Sequence, residues 1–379
     1  MKRPIPCCAV MAFAVLAWLA PAVAAGSDAA VITLKSGRAY RAYGDILVPV
    51  EAPPGPAGAL MGTRWPEATL FYAFDGSVSA AQQADFRQWA AQWQSGSGVR
   101  FVEDSGAPNR VLVQIADDIG CGHSAVGMIG GVQDFVIATG AGCWASGVVQ
   151  HELGHALDAV HEQQRSDRDS YVTITDHGIV EHCGQGTWDA NYGEVATETN
   201  TAYDYASIMH YPSPAHYTCG GVDVWADITV LGAQPAGQPP GSENACTSVA
   251  DCQAIIGSQT ISARDQYGMA LRYGYRIVLS IDGNGSGSVF IDGFREDCGV
   301  RCYLTTPDSM LILDAVPDPD SIATISGECR GQTSCQFFPT ENGTVRVRFT
   351  KKASAAAVIA IVTKPKPDTI FANGFDSAQ

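Results

Sequence analysis

Residues 151–161 read His-Glu-Leu-Gly-His-Ala-Leu-Asp-Ala-Val-His, and no other segment restricts the possible folds of this chain as much. On an α-helix, positions i and i+4 lie one above the other on the same face, so His151 and His155 aim their imidazoles the same way. Glu152, one position after the first histidine, sits on the same turn. Two imidazoles with an adjacent carboxylate form the donor set of a zinc-assisted hydrolase, in which the carboxylate takes a proton from water that the metal has acidified. His161 follows His155 by six residues, too far to be a helical neighbour. To reach the same metal, the chain must leave the helix and turn back near Asp158. Three neutral imidazoles leave a coordination position open, the mark of a catalytic rather than a structural zinc site. The segment therefore predicts a buried helix over Gly147 to Leu157 that ends sharply.

The rest of the chain gives this helix an exported setting. Lys2 and Arg3 precede an apolar run from about Cys7 to Ala20, followed by Pro21 and the small residues Ala22 to Gly26. That is the pattern of a secretory signal peptide over 1–25, and the run is well short of the roughly 20 residues a membrane span needs. Two of the 12 cysteines lie in that run; the other ten are an even number in an exported chain and are expected to form disulfides. A net charge of -16 argues against nucleic acid as a partner.

Residues 26–61 carry strand-like patches at Val31 to Leu34 and Ile46 to Val50, then a Pro/Gly-rich linker from Ala52 to Gly58. Strands are predicted at Thr69 to Phe74, Val99 to Val102, Val111 to Ile115 and Asp134 to Ala138. Ser79 to Trp93 reads as a helix with Ser79 as N-cap. Residues 211–257, rich in Pro, Gly, Ser and Cys, read as loops stapled by bridges. Ser262 to Tyr273 reads as a closing helix. Short runs separated by Gly, Asp and Asn turns from Ile277 to Phe349 read as a small all-β module over 276–350, and 351–379 is a tail.

Taken with its neighbours, His151-Glu-Leu-Gly-His-Ala-Leu-Asp-Ala-Val-His161-Glu-Gln-Gln-Arg-Ser-Asp-Arg-Asp-Ser-Tyr171-Val resembles the active-site signature of the astacin family of metzincin zinc peptidases. Tyr203-Asp-Tyr-Ala-Ser-Ile-Met209-His-Tyr211-Pro resembles that family's Met-turn, and the likeness extends over about residues 62–275. It implies an α+β fold: a twisted, mostly parallel sheet with the active-site helix, a mainly irregular C-terminal subdomain, and here the β module appended. It also implies one zinc ion on His151, His155 and His161, with Glu152 as base. Tyr211 would be a switchable ligand able to stabilise the oxyanion, and Met209 the floor under the imidazoles. Glu162 would be buried, engaging the new N-terminal amine after activation. A polypeptide substrate would lie extended on an edge strand, for which Gly131 to Ala138 is the candidate.

Further expectations follow from the resemblance. Tyr43-Gly-Asp45-Ile is similar to a pro-segment element whose Asp caps the zinc, although a plain Gly-Asp turn between strands fits those residues equally well. Cys121 and Cys143 match the family's local bridge, and the long-range bridge is absent because Gly98 stands where it would begin. Cys183–Cys219 and Cys246–Cys252 are guessed pairings, Cys298–Cys302 and Cys329–Cys335 are local pairs, and sequence alone does not fix this connectivity. Asp158 stands where the family has Gly in a left-handed turn, a conformation that Asp tolerates at a cost of about 1 kcal/mol. His123, His177, His182 and His216 read as ordinary surface or loop histidines. The function expected is a secreted zinc endopeptidase made as a zymogen. The alternatives are another metzincin hydrolase, or an extracellular binding protein on a degenerate peptidase scaffold; no ligand or base is missing to favour the latter.

Overall fold

The computed structural model describes residues 31–51, 62–116, 120–195, 201–237, 246–292, 296–299 and 301–353. The expected signal segment, the Pro/Gly linker and residues 354–379 of the tail lie outside the described residues. No helix among the described residues is long and apolar enough to cross a membrane.

The first half is a single eight-stranded sheet with two helices on one face. Its strands are β1 (Val31–Thr33), β2 (Ala39–Tyr43), β3 (Ile46–Pro49), β4 (Thr69–Phe74), β5 (Arg100–Glu103), β6 (Arg110–Ile115), β7 (Gly122–Ser124) and β8 (Val132–Ile137). They lie in the order β1-β2-β3-β7-β8-β6-β4-β5. Strands β8, β6, β4 and the edge strand β5 run parallel, and β7 is antiparallel to β8. Helix α1 (Ala80–Ser95) begins at Ser79, whose side chain accepts from the Gln82 N–H while the Gln82 side chain accepts from the Ser79 N–H. This reciprocal cap satisfies two otherwise orphaned donors. Phe86, Ala90 and Trp93 form its buried face. They pack with Val149 and Leu153 of helix α2 (Ser146–Ala156) and with Phe135 and Ile137 of β8. The Trp93 indole donates to the Gln150 carbonyl at 3.1 Å, tying the two helices together.

The second half differs from the expectation of loops. Strands β9 (Val172–His177), β10 (Ala215–Cys219) and β11 (Val222–Val230) form an antiparallel sheet in the order β10-β11-β9, over a core that includes Val172, Tyr203, Tyr205 and Ile228. The Gly220–Gly221 pair at positive φ makes the β10–β11 turn. Helices α3 (Ile179–Cys183), α4 (Gln185–Tyr192), α5 (Val249–Ile255) and α6 (Ala263–Tyr273) complete this part. Cys121–Cys143, Cys183–Cys219, Cys246–Cys252 and Cys329–Cys335 are bonded as expected. Cys302 is also in a disulfide, while the side chain of Cys298 lies outside the described residues.

The C-terminal module is a sandwich. Strands β12 (Tyr275–Gly283), β13 (Gly287–Asp292), β14 (Glu296–Gly299), β15 (Cys302–Thr305), β16 (Leu311–Pro317), β17 (Ser321–Gly327), β18 (Ser334–Phe337) and β19 (Gly343–Lys351) form one five-stranded and one three-stranded sheet. The expected break at 275/276 is a packed junction. Leu304 of β15 joins the peptidase core, and a Cβ at position 98 would lie 2.7 Å from its side chain. Asn342 donates to the carbonyls of Gln94 and Ser97 at 2.8 and 2.6 Å, and Arg276 donates to the Gly98 carbonyl at 2.6 Å. At Gly98, where the family's long-range bridge would start, the module therefore supplies the packing. The architecture is α+β with a mostly parallel sheet, an active-site helix and an appended all-β unit.

Candidate active site

Helix α2 carries His151, Glu152 and His155 into a cleft between the sheet and the second half of the chain. The helix stops at Asp158, whose φ of 75° is the left-handed conformation the turn demands. The Asp158 side chain is buried and paired with Arg272 of α6. The chain then doubles back, with the Ala159 N–H donating to the Gly154 carbonyl at 2.9 Å, and His161 faces its two partners.

Each imidazole is oriented from behind. His151 Nδ1 donates to the Ile208 carbonyl at 2.7 Å, His155 Nδ1 to the Ala159 carbonyl at 2.9 Å, and His161 Nδ1 to Gln164 Oε1 at 2.9 Å. With every Nδ1 proton committed, each Nε2 presents a lone pair to the same point. His155 Nε2 and His161 Nε2 are 3.1 Å apart, and neither can donate to the other. Lone pairs that close are stable only around a cation. Nitrogens held tetrahedrally by zinc lie about 3.3 Å apart, so the spacing fits that ion. His155 is buried and its pKa is lowered well below the ordinary histidine range by that burial, with neighbouring His161 adding to it; it is therefore neutral, as a ligand must be. Met209 is buried beneath, its sulfur against Gly154, where a Cβ would collide with it.

A fourth donor comes from far away in sequence. Gly44 and Asp45 form the two-residue turn of the β2–β3 hairpin, with Gly44 at φ 63° and Tyr43 paired to Ile46. The plain Gly-Asp turn expected for these residues is the one that brings Asp45 to the histidines. Asp45 Oδ2 lies 3.2 Å from His151 Nε2 and 3.1 Å from His161 Nε2, and Oδ1 lies 3.8 Å from His155 Nε2. Ligand atoms of these four residues all fall within 4.8 Å of one another. Burial raises the Asp45 pKa, but the surrounding imidazoles outweigh it and hold the carboxyl well below the usual range.

Glu152 is buried beside them. Its Oε2 has no hydrogen-bond partner, and a Cβ at position 122 would come 2.6 Å from its Oε1, so Gly122 makes the space it occupies. Burial, with Asp45 adding, pushes its pKa well above the carboxylate range. Tyr211 packs against His161 at 4.2 Å between ring centroids, and burial raises its phenol well above the ordinary value. Its hydroxyl donates to Asn191 Oδ1 at 2.7 Å. Glu162 lies on the far side of His161, its Oε1 accepting from the Asp204 N–H at 2.8 Å and from Arg165 Nη1 at 3.3 Å. Burial pushes it up to about 8 against the opposing charge of Arg165.

Two expectations are corrected. Gly131 to Ala138 is not an edge: β8 lies between β6 and β7, hydrogen-bonded on both sides. The strand bordering the cleft is β7, too short and Gly-flanked to show any periodicity, and its free side pairs with β3 through Ile46 and Ser124. His123, expected at the surface, is buried on β7 and lines the same cleft as Glu152. The cleft measures about 690 Å³ and extends to Ala215, His216 and Gln259.

His210 offers a separate test of the Met-turn. The Tyr203 hydroxyl lies 2.9 Å from His210 Nε2, and His210 Nδ1 donates to the Tyr211 carbonyl at 2.8 Å. Burial pushes its pKa down to about 4. A folded pKa below the unfolded value gives stability that is complete above about pH 6.5 and is lost as pH falls towards 4. His210→Gln should remove that dependence. The stability difference between wild type and variant should shrink by on the order of 3 kcal/mol across the window, read from urea midpoints. A constant difference would show that His210 is not held neutral.

A histidine triad with an adjacent glutamate, a buried methionine beneath it and a nearby tyrosine, on this α+β scaffold, forms a donor set that fits a single zinc ion. Residues 59–224 match the family Astacin (Peptidase family M12A). The chain is 36% identical over 162 residues to "Zinc metalloproteinase nas-32" of Caenorhabditis elegans, covering 42% of this chain and 23% of that protein. It is 35% identical over 153 residues to "High choriolytic enzyme 1" of Oryzias latipes, covering 40% of this chain and 53% of that protein. The solved structure of that hatching enzyme zinc-protease matches 59% of this chain and 98% of its own, at 29% identity and a TM-score of 0.42. The chain thus spans only about a quarter to a half of the curated relatives' length.

Proposed function

We propose that this protein is a secreted zinc endopeptidase made as a zymogen, with residues 26–61 as the inhibitory segment and the peptidase domain spanning 62–275. The observation that carries the reading is the convergence of three Nδ1-anchored imidazoles on one point beside the buried, unpartnered carboxylate of Glu152. Bound zinc supplies Lewis acidity, which acidifies water and polarises a carbonyl. His151, His155 and His161 hold it. Glu152, buried with an unpartnered Oε2 facing the cleft, takes the proton from the attacking water and delivers it to the departing amine. Tyr211 donates its phenolic proton to the oxyanion formed at the scissile carbonyl. The substrate backbone pairs with β7 by strand addition.

Latency follows from the same geometry. The β2–β3 hairpin caps the imidazoles with Asp45 and takes the pairing edge of β7. Tyr40, Tyr43, Ile46, Leu47 and Val48 are buried, each worth about 1.5–3 kcal/mol, and Ser36 donates to the buried Asp134 through both its N–H and its hydroxyl. A cut in 52–61 alone therefore leaves the segment seated. Glu162, buried with its Oε1 accepting from the Asp204 N–H and from Arg165, is the carboxylate proposed to receive the new N-terminal amine. The signal-like residues 1–25 and the disulfides support export.

The test is cleavage of denatured casein or gelatin by protein from which residues 26–61 have been removed, with and without a chelator. Activity that a chelator abolishes and zinc restores is the expected result. Cleavage that persists without metal rejects the mechanism, and no cleavage in any form favours a binding scaffold.

A further inference from the structure

The Tyr211 phenol is engaged in a way the catalytic reading does not require. It donates to Asn191 Oδ1 at 2.7 Å. Asn191 lies in α4 and is fully buried, and its Nδ2 donates to the Thr187 carbonyl at 2.8 Å, which leaves only the carbonyl end of the amide for the phenol. The Tyr211 main chain is tied to the same neighbourhood. Its N–H donates to Gln163 Oε1 at 3.0 Å, and Gln163 Nε2 donates to the Asn191 main-chain carbonyl at 3.3 Å. The hairpin tip closes over this amide, since a Cβ on Gly44 would collide with the Asn191 side chain. Residue 44 therefore rests on the acceptor of the tyrosine while residue 45 caps the histidines.

We propose that Asn191 is the positioning residue for Tyr211, an acceptor that occupies the phenolic hydroxyl while the hairpin is seated. The inference rests on the reading of Tyr211 as a switchable partner of a metal held by the three histidines. While its hydroxyl donates to Asn191, the phenol neither ligates the metal as phenolate nor donates to an oxyanion. Asp45 and Tyr217 also face that hydroxyl, so Asn191 contributes its share of the bias against either role, and Asn191→Leu isolates that share. A buried neutral hydrogen bond of this kind biases such an equilibrium by about five- to ten-fold.

Copper(II) is the probe, because a phenolate bound to it gives a visible charge-transfer band that imidazoles do not. Full-length protein is loaded with copper as wild type, Asn191→Leu, which matches the volume without an acceptor, and Asn191→Asp, which keeps the acceptor. Tyr211→Phe shows which band belongs to Tyr211. The expected result is a weak or absent band in wild type and Asn191→Asp, and a band at least about five-fold stronger in Asn191→Leu. In protein lacking residues 26–61, Asn191→Leu should change kcat with little effect on KM, while Asn191→Asp stays close to wild type. A copper spectrum in Asn191→Leu identical to wild type overturns the inference, as does an equal change in both variants, which is what a purely structural role would give. A chain that takes up no copper overturns the parent reading with it; uptake through the histidines with no difference between Leu and Asp overturns this inference alone.

Discussion

Glu152→Gln is expected to lower kcat/KM on a polypeptide by roughly 10²–10⁴-fold, the range attributable to a positioned general base, while zinc content stays at one per chain. The substitution is close to isosteric, so the space that Gly122 leaves for Oε1 stays filled. What changes is the group facing the cleft: a carboxylate oxygen without a partner becomes an amide unable to accept a proton. The zinc ligands do not depend on it, because each imidazole is oriented by Ile208, Ala159 or Gln164. The check pairs initial rates with metal analysis on the same preparation. A variant that keeps more than about a tenth of wild-type kcat/KM at full zinc occupancy excludes Glu152 as the base.

The parts of this site that sequence made legible are those encoded by local geometry. The i, i+4 spacing put His151 and His155 on one face, and the need to turn back for His161 pointed to a turn near 158; that this turn is left-handed came from the family resemblance, and Asp158 has φ 75°. Ser79 announced its helix because a cap and its reciprocal partner lie three residues apart. What stayed hidden depends on contacts between distant segments. Nothing in residues 119–126 marks β7 as the cleft strand, since a three-residue strand that begins on a glycine has no period to read. Strands β10 and β11 were masked by the Pro/Gly content around them, although the alternating burial of Val222–Val230 is clear once β9 is seen beside it. Asn191 carries no motif at all. Its role becomes visible only when α4, the Met-turn strand of chain and the β2–β3 hairpin meet at one phenol.

Asp45→Ala in unprocessed protein is expected to raise activity by about 100-fold over the wild-type precursor, yet to leave it well short of the form lacking residues 26–61. The carboxylate is buried against three imidazoles, and removing one partner of a buried charge cluster typically costs about 3 kcal/mol or more. That amount shifts a closed-to-open equilibrium by roughly two powers of ten. The variant removes only one of the two blocks, however. The Ser124 N–H still donates to the main-chain carbonyl of residue 45 at 3.0 Å, and Ile46 still pairs with Ser124. Tyr40 and Leu47 still pack against Val136, so the substrate must displace a folded hairpin to reach β7. The two blocks separate by substrate size: a short peptide needing little strand pairing should gain more from Asp45→Ala than denatured casein does. Full latency of Asp45→Ala towards both substrates would falsify the carboxylate cap. Full activity towards both would show instead that β3 leaves the edge unaided, and that Asp45 alone holds the hairpin down.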